Sequence, residues 1–140
     1  MSLPHREAAI QILAAYQDRL DAAHGKAAYD ALFDSAPAEI GLHEIELDKT
    51  VKRVNPAELA LLGYRREEVV GHPAWRFTVL QETSQRAADK KLAGGGLTPF
   101  VRTFKRADGA ALTMALVERY LHDASGTIVG IRTALTPIEA

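Results

Sequence analysis

The first part of the chain carries apolar residues at helical spacing. Between about residues 3 and 24 they recur at alternating steps of four and three, as in Ala9, Leu13, Tyr16, Leu20 and Ala23. Such a stripe is typical of an amphipathic helix that packs on another element. Because Pro4 suits a first helical turn and Gly25 a last one, the pattern predicts a helix within residues 1–26.

This helix has two interpretations, which the sequence leaves open. It packs on its own domain, or it docks against a second copy of the chain through Leu13, Tyr16 and Leu20. The seam is shorter than the three or four heptads of an independent coiled coil, and Ile10 and Ile12 widen it beyond two positions. The second interpretation predicts a homodimer.

Further along, the apolar spacing changes from helical to alternating. Residues 40–47 alternate with His43 on one face and Glu44 and Glu46 on the other, and residues 50–54 return after a tight turn. This pattern predicts a β-hairpin. The two carboxylates lie on the face opposite His43, so we expect both to be solvated rather than catalytic.

Two short capped helices are predicted after the hairpin. Asn55 can accept from free N–H groups at a helix start, and Pro56 stands where a missing N–H costs nothing. Gly63 suits the end of that helix. The second helix has acidic residues such as Glu68 near its start and Gly71 at its end.

The remaining pattern predicts one more helix and three strands. The helix covers residues 82–93, and the strands cover 98–105, 111–122 and 127–135. Asp108-Gly109 and the segment 124–126 are turn signals between the strands. The whole predicts an α+β fold, with a five-stranded antiparallel sheet, helices on one face and an added N-terminal amphipathic helix.

Composition narrows the class of protein. The chain has 140 residues, 47% of them hydrophobic, 25% of them charged and none of them cysteine, and a formal net charge of −1. This size suits one domain with an extension, and the charge disfavours direct nucleic-acid binding. Without cysteine, thiolate catalysis and thiolate metal sites are excluded. No apolar run approaches the roughly 20 residues of a membrane span, so we expect a cytoplasmic protein without a membrane anchor.

Four blocks of residues resemble one known family. They are VNPAELALLGYRREEVVG at residues 54–71, GLHEIE at 41–46, FKRADG at 104–109 and DASGTIVG at 123–130. In this order and spacing they resemble the signature of PAS sensor domains, in which Asn55, Gly63, Gly71, Asp108 and Gly109 are structural positions. The resemblance implies a PAS-like domain over residues 27–140.

Relatives of this kind hold ligands between the inner face of the sheet and the helices. Carried onto this chain, the resemblance implies a mostly apolar cavity lined by His43, Trp75, Phe77, Phe100, Arg102, Phe104 and Met114. Buried between two phenylalanines, Arg102 would need an anionic partner, either a protein carboxylate or a bound carboxylate ligand. A strand twist that leaves Arg102 in solvent is equally compatible with the sequence. A core filled by its own side chains is the alternative, because filled cores are the rule.

The cofactor is left unknown. Haem-binding relatives take an axial histidine from the long helix, and residues 82–93 contain none, which leaves only His43 and His72 as substitutes and disfavours haem. The cysteinyl-flavin chemistry of light-sensing relatives is excluded because cysteine is absent. The five histidines show no metal-ligand spacing, and no nucleophile elbow, phosphate loop or zinc-protease motif occurs. We therefore predict neither a catalytic residue nor a metal ligand.

The end of the chain departs from the family pattern. Relatives that signal to a following helix finish with Asp-Ile-Thr, where this chain has Ala134-Leu135-Thr136. Output is therefore expected through surface contacts, the N-terminal helix or a protein partner. We expect a non-enzymatic sensory domain that binds a small molecule or a signalling protein. The alternatives are a ligand-free dimerisation module, a haem-based gas or redox sensor and a small α+β enzyme.

Overall fold

The computed structural model describes residues 2–139. Its helices are α1 (Arg6–Asp21), α2 (Lys26–Asp34), α3 (Pro56–Leu62), α4 (Arg66–Val69) and α5 (Gln81–Leu92), with a 3-10 turn at Ala74–Phe77. Its strands are β1 (Gly41–Glu46), β2 (Val51–Val54), β3 (Phe100–Lys105), β4 (Ala111–His122) and β5 (Ile128–Pro137). The strands form one antiparallel sheet in the order β2-β1-β5-β4-β3. This arrangement confirms the predicted five-stranded α+β fold.

Asn55 joins several elements at once. Its side chain accepts from the backbone N–H of Glu58 at 3.0 Å, which caps α3 as predicted, and from that of Leu42 at 2.9 Å. Its amide nitrogen donates to the carbonyls of Phe33 and Ile40 at 3.1 and 3.2 Å. The residue is fully buried, so all four bonds are made away from solvent. Asn55 therefore links α2, β1 and α3, beyond its predicted role as a cap.

The predicted turn and cap positions are occupied as expected. Gly63 ends α3 in the left-handed region at φ 80°, which a residue with a side chain adopts only at a cost. Gly71 follows α4 by two residues. In the turn between β3 and β4, Asp108 accepts from the backbone N–H of Ala110 at 2.9 Å, and Gly109 completes the turn.

Helices cover both faces of the sheet, and each face has its own apolar core. The inner face meets α3, α4, the 3-10 turn and α5, through a core that includes Ile45, Leu62, Met114, Leu116 and Leu135. The outer face meets α1 and α2, through a core that includes Leu13, Phe33, Leu42, Val117 and Ala134. Neighbouring residues of each central strand thus enter opposite cores.

The outer layer corrects one expectation about Glu44. Its carboxylate was expected to be solvated, but the residue is 7% exposed and accepts a hydrogen bond from the Tyr29 hydroxyl of α2. Burial, followed by the Glu44 contact, raises the pKa of Tyr29 to about 12, so the phenol stays a donor. The expectation fails because α2 covers this part of the outer face. Glu46, at the end of β1, is exposed.

The N-terminal helix packs on its own sheet. Leu13, Tyr16 and Leu20 are all nearly inaccessible in the single chain, and the Tyr16 hydroxyl donates to the carbonyl of Leu32. The structure therefore places these residues as the packing interpretation describes. Their apolar surface is already covered within the single chain. A homodimer that keeps this packing would therefore use other side chains.

A buried polar cluster fastens α1 to the sheet. The amide of Gln17 donates to the carbonyls of Val117 and Arg132 at 2.8 and 3.1 Å, and accepts from Arg132 Nε at 2.6 Å. Arg132 also pairs with Asp21, while Arg119 pairs with Asp18 and Asp21 at 3.3 and 3.4 Å. We call Gln17, Asp21 and Arg132 the outer polar cluster. Every charge in it has a partner.

No helix within residues 2–139 combines the length and the apolar character that crossing a bilayer requires.

Candidate ligand cavity

A cavity lies between the inner face of the sheet, the 3-10 turn and α5. Its volume is about 60 Å³. Its apolar walls include Ile45, Trp75, Phe100, Phe104, Leu116 and Ile131. Its polar lining includes His43, Thr78, Ser84, Lys91, Arg102 and Glu118. A few convergent polar groups in an apolar pocket are what small-molecule sites commonly show.

Five of the seven residues predicted for the cavity line it. They are His43, Trp75, Phe100, Arg102 and Phe104. Phe77 instead packs edge-on against the Tyr64 ring, with centroids 4.9 Å apart, and Met114 is fully buried in the inner core. Of the two aromatic residues on the 3-10 turn, Trp75 therefore lines the cavity and Phe77 does not.

Arg102 enters the cavity wall from β3, between Phe100 and Phe104. The residue is half-buried, and its guanidinium lies 5.0 Å from the centre of the Phe100 ring. Within residues 2–139 no carboxylate lies at ion-pair distance from it. The predicted protein partner of Arg102 is thus not found among the described side chains, and the charge faces an aromatic ring and the cavity.

Lys91 and Glu118 form an ion pair across the cavity. The ammonium of Lys91 on α5 lies 2.8 Å from Glu118 Oε1 on β4, and 3.9 Å from the centre of the Phe100 ring. The other carboxylate oxygen of Glu118 accepts from the Thr133 hydroxyl at 2.7 Å. Oε1 is buried, and the ammonium lies outside the direction that a hydrogen bond requires. The attraction there is electrostatic, and one lone-pair direction stays open.

His43 and Glu58 form a second buried pair beside the cavity. Nδ1 of the imidazole lies 2.8 and 2.9 Å from the two carboxylate oxygens of Glu58, and both residues are less than a tenth exposed. Burial works to lower the pKa of His43, but the negative charge and hydrogen bonding of Glu58 outweigh it, and the pKa is raised. Glu118 adds to the rise and Lys91 opposes it.

Close backbone approach positions Glu58 beneath β1. A Cβ atom added to Gly41 would lie 2.6 Å from Leu135 Cδ1 and 2.9 Å from Glu58 Cβ. Only a residue without a side chain lets α3 come this close to the strand. Gly41 therefore allows the carboxylate of Glu58 to reach His43.

Both ends of α5 are tied to the sheet side of the cavity. The hydroxyls of Thr78 and Ser84 lie 2.8 Å apart near its start, and the backbone N–H of Val79 donates to the carbonyl of Thr103 at 3.0 Å. Near its end, the Tyr120 hydroxyl donates to the carbonyl of Lys91 at 2.9 Å. The cavity is thus closed by a helix held mainly through polar contacts.

Five polar cavity residues and Glu58 were missed by sequence reasoning. The five are Thr78, Ser84, Lys91, Glu118 and Thr133. One signal was available, because Glu118 interrupts the apolar run of β4. Lys91 lies in the last turn of α5, where a cation interacts favourably with the helix dipole, and the sequence needs no cavity to explain it.

The histidines do not assemble a metal site. In the part of the chain that the structure describes, no three histidine, cysteine, aspartate or glutamate side chains come close enough to hold a metal ion. His72, one of the two substitutes considered for haem, lies with Nδ1 2.9 Å from an Arg76 nitrogen, and His43 is engaged by Glu58.

Comparisons with solved structures identify the fold. The PAS domain of an HTR-like protein from Haloarcula marismortui is 23% identical, with a TM-score of 0.65 over 78% of this chain and 93% of that one. A domain of a sensory box sensor histidine kinase/response regulator from Geobacter sulfurreducens is 26% identical, with a TM-score of 0.64 over 79% and 91%. The LOV domain of a blue-light activated histidine kinase from Erythrobacter litoralis is 18% identical, with a TM-score of 0.60 over 72% and 97%.

No protein-family model matches the sequence, and no curated protein matches it.

Proposed function

Because the chain has the PAS fold, we propose that it is a sensory domain whose cavity binds a small molecule. The observation that carries the proposal is the set of charged and hydroxyl groups in an otherwise apolar cavity. Burying such groups costs free energy, and a core that served packing alone would be cheaper to fill with apolar side chains.

The proposed signal is a shift between two packings of the domain. A ligand that binds one packing more tightly raises its population, and only a difference in affinity can do so. Lys91 couples α5 to this equilibrium. A ligand beside Glu118 alters the ion pair between Lys91 and Glu118, which holds α5 to β4.

We propose that the change in packing is transmitted to α1, which lies on the other face of the sheet. Glu118 faces the cavity, whereas its neighbours on β4 face α1: the carbonyl of Val117 accepts from Gln17, and Arg119 pairs with Asp18 and Asp21. A shift of β4 at Glu118 would therefore move contacts that hold the helix. This route agrees with the lack of the family's acidic output residue at Ala134.

The test of ligand binding is mass spectrometry of the purified protein under native conditions. A small molecule that leaves only on unfolding would support sensing. A bare mass, together with no change in the spectrum of Trp75 across a metabolite library, would contradict it. Trp75 suits this measurement because it lines the cavity and is the single tryptophan of the chain.

A ligand-free interaction module is the second candidate, and the small volume of the cavity favours it. Sites for drug-sized ligands commonly span roughly 300–1,000 Å³, well above the room found here. The same limit disfavours haem or a flavin in the present packing. If the native mass is bare, a homodimer or a signalling partner becomes the proposed output, and sedimentation of the full chain over a concentration series tests the homodimer.

A further inference from the structure

One cation of the cavity lining has no carboxylate beside it among the described residues. Lys91 is paired with Glu118 and His43 with Glu58, each at 2.8 Å, while Arg102 has no carboxylate at ion-pair distance within residues 2–139. Arg102 is therefore the surplus cation of this lining. A partly buried charge without a partner is costly, so the site favours one further negative charge.

The surplus cation lies where the cavity meets an open groove. The groove runs between the end of α5 and β3, has a volume of about 580 Å³, and shares Lys91, Phe100 and Arg102 with the cavity. Lys90 adds another cation to its lining, and no acidic residue belongs to that lining. A groove of one sign concentrates ions of the opposite sign, so the approach to Arg102 favours an anion.

The part of the cavity beyond Arg102 favours an apolar group of a ligand. Trp75, Phe104, Leu116 and Ile131 form the walls there, and such surfaces gain from contact with carbon rather than with a hydrated ion. The volume of about 60 Å³ admits a short chain of a few carbon atoms, and it is well below the roughly 150 Å³ of a cavity that takes a benzene ring. These dimensions exclude large ligands in the present packing.

We infer that the cavity binds a small monocarboxylic acid whose carboxylate pairs with Arg102 and whose apolar part contacts Trp75 and Phe104. This inference names the ligand class of the proposed sensory function and rests on it. A guanidinium presents paired donors that match a carboxylate. Phosphate offers the same chemistry to arginine, but it has no apolar part to contact Trp75 and Phe104.

The test compares acids with neutral molecules of the same shape. Butyrate and benzoate are titrated against butyramide and benzamide, with inorganic phosphate as a further arm. Binding is followed through the indole N–H resonance of Trp75, which is the only indole in the chain. We expect butyrate to shift this resonance, and butyramide, phosphate and the larger benzoate to bind at least tenfold more weakly.

Variants of the full chain assign the binding to Arg102. Arg102→Ala should weaken butyrate at least tenfold, and Arg102→Lys should recover part of the loss because it restores the charge without the paired donors. Arg86→Ala is the matched control, since Arg86 is largely exposed on α5 and pairs with Glu82. It should leave the affinity unchanged.

The outcomes separate the ligand class from the function. Equal binding of acids and amides, tight phosphate binding or unchanged acid affinity in Arg102→Ala would overturn the acid inference, while cavity binding, and so sensing, would stand. If none of the probes moves the Trp75 resonance and the native mass is bare, both the inference and the sensory proposal fail.

Discussion

Arg132 and Arg102 lie on opposite faces of the sheet, and the two arginines have opposite surroundings. On the outer face, Arg132 is 2% exposed, and its guanidinium is held by Gln17 and Asp21. On the inner face, Arg102 is half-buried beside Phe100 with no carboxylate at ion-pair distance within residues 2–139. The charges of the outer polar cluster are all paired, whereas the inner face has a cavity and, among the described residues, a cation without a carboxylate. Under the proposed function, the outer face supplies structure and the inner face binds the ligand.

The largest effect is expected at Asn55, which joins the layers on both faces. Asn55→Ala removes the cap of α3 and leaves the N–H of Leu42 and the carbonyls of Phe33 and Ile40 without their partner. A lost cap costs about 1 kcal/mol and each buried unpaired group costs a further 1–3 kcal/mol. We expect a loss of about 4 kcal/mol in the free energy of unfolding, measured with urea.

Asn55→Asp provides the control for this prediction. The carboxylate keeps the acceptor for Glu58 and Leu42 but removes the donor to Phe33 and Ile40. A buried carboxylate that faces two carbonyl oxygens is costly, so this variant should lose more than about 1 kcal/mol although the cap is kept. A loss of only about 1 kcal/mol in Asn55→Ala would mean that the cap is the whole contribution.

The next largest effect tests the outer face alone. Arg132→Ala removes the centre of the outer polar cluster, so that Gln17 Oε1 loses its donor and Asp21 keeps only Arg119, at 3.4 Å. Breaking a buried ion pair commonly costs about 3–5 kcal/mol, and we expect the lower end because Asp21 is partly exposed. Urea unfolding measures the loss. Arg119→Ala is the control, because its contact with α1 is more exposed, and it should lower the free energy of unfolding by under about 1 kcal/mol. Similar losses for both arginines would contradict a buried cluster.

Much of the fold could be predicted from the sequence because its signals are local. The alternation of β1, the cap at Asn55, the stop at Gly63 and the turn at Asp108-Gly109 each depend on a few neighbouring residues. The burial of Glu44 could not be predicted in this way, because strand alternation does not reveal that α2 covers the outer face. Likewise, the spacing of Leu13 and Leu20 cannot distinguish a partner chain from the chain's own sheet.

The cavity residues also divide into those that local sequence patterns predict and those that depend on tertiary contacts. The aromatic residues of β3 and His43 follow from strand alternation, so most of the predicted wall lies at the cavity. The ion pair of Lys91 and Glu118 joins residues 27 positions apart on elements of different type, and no periodicity relates them. Glu58 reaches His43 only because Gly41 lets α3 approach β1, which is a tertiary property.

A smaller effect should appear in the pH dependence of stability. The pKa of His43 is raised in the folded protein, so its contribution is fully present below the unfolded value of about 6.5 and is lost as the pH rises through the folded pKa. One proton changes stability by at most about 1.4 kcal/mol per pH unit. Unfolding in urea between pH 6 and pH 9 should show stability falling as the pH rises.

His43→Asn is the control for the pH prediction. It removes the titrating group, so the part of the slope that belongs to the pair with Glu58 should disappear. The other histidines remain in this variant and report the background. An unchanged slope would show that His43 does not take up a proton on folding and would remove one positive charge from the cavity.

The smallest expected effect is the most informative about the two faces. Arg102→Ala should change the free energy of unfolding by less than about 0.5 kcal/mol, because no buried carboxylate loses its partner. The unliganded protein gains nothing from an unpaired charge, so removing it can even stabilise the fold. Urea unfolding of Arg102→Ala beside Arg132→Ala makes the comparison direct. A loss as large as that of Arg132→Ala would mean that Arg102 is a structural residue, and the cavity would then have no spare cation to offer a ligand.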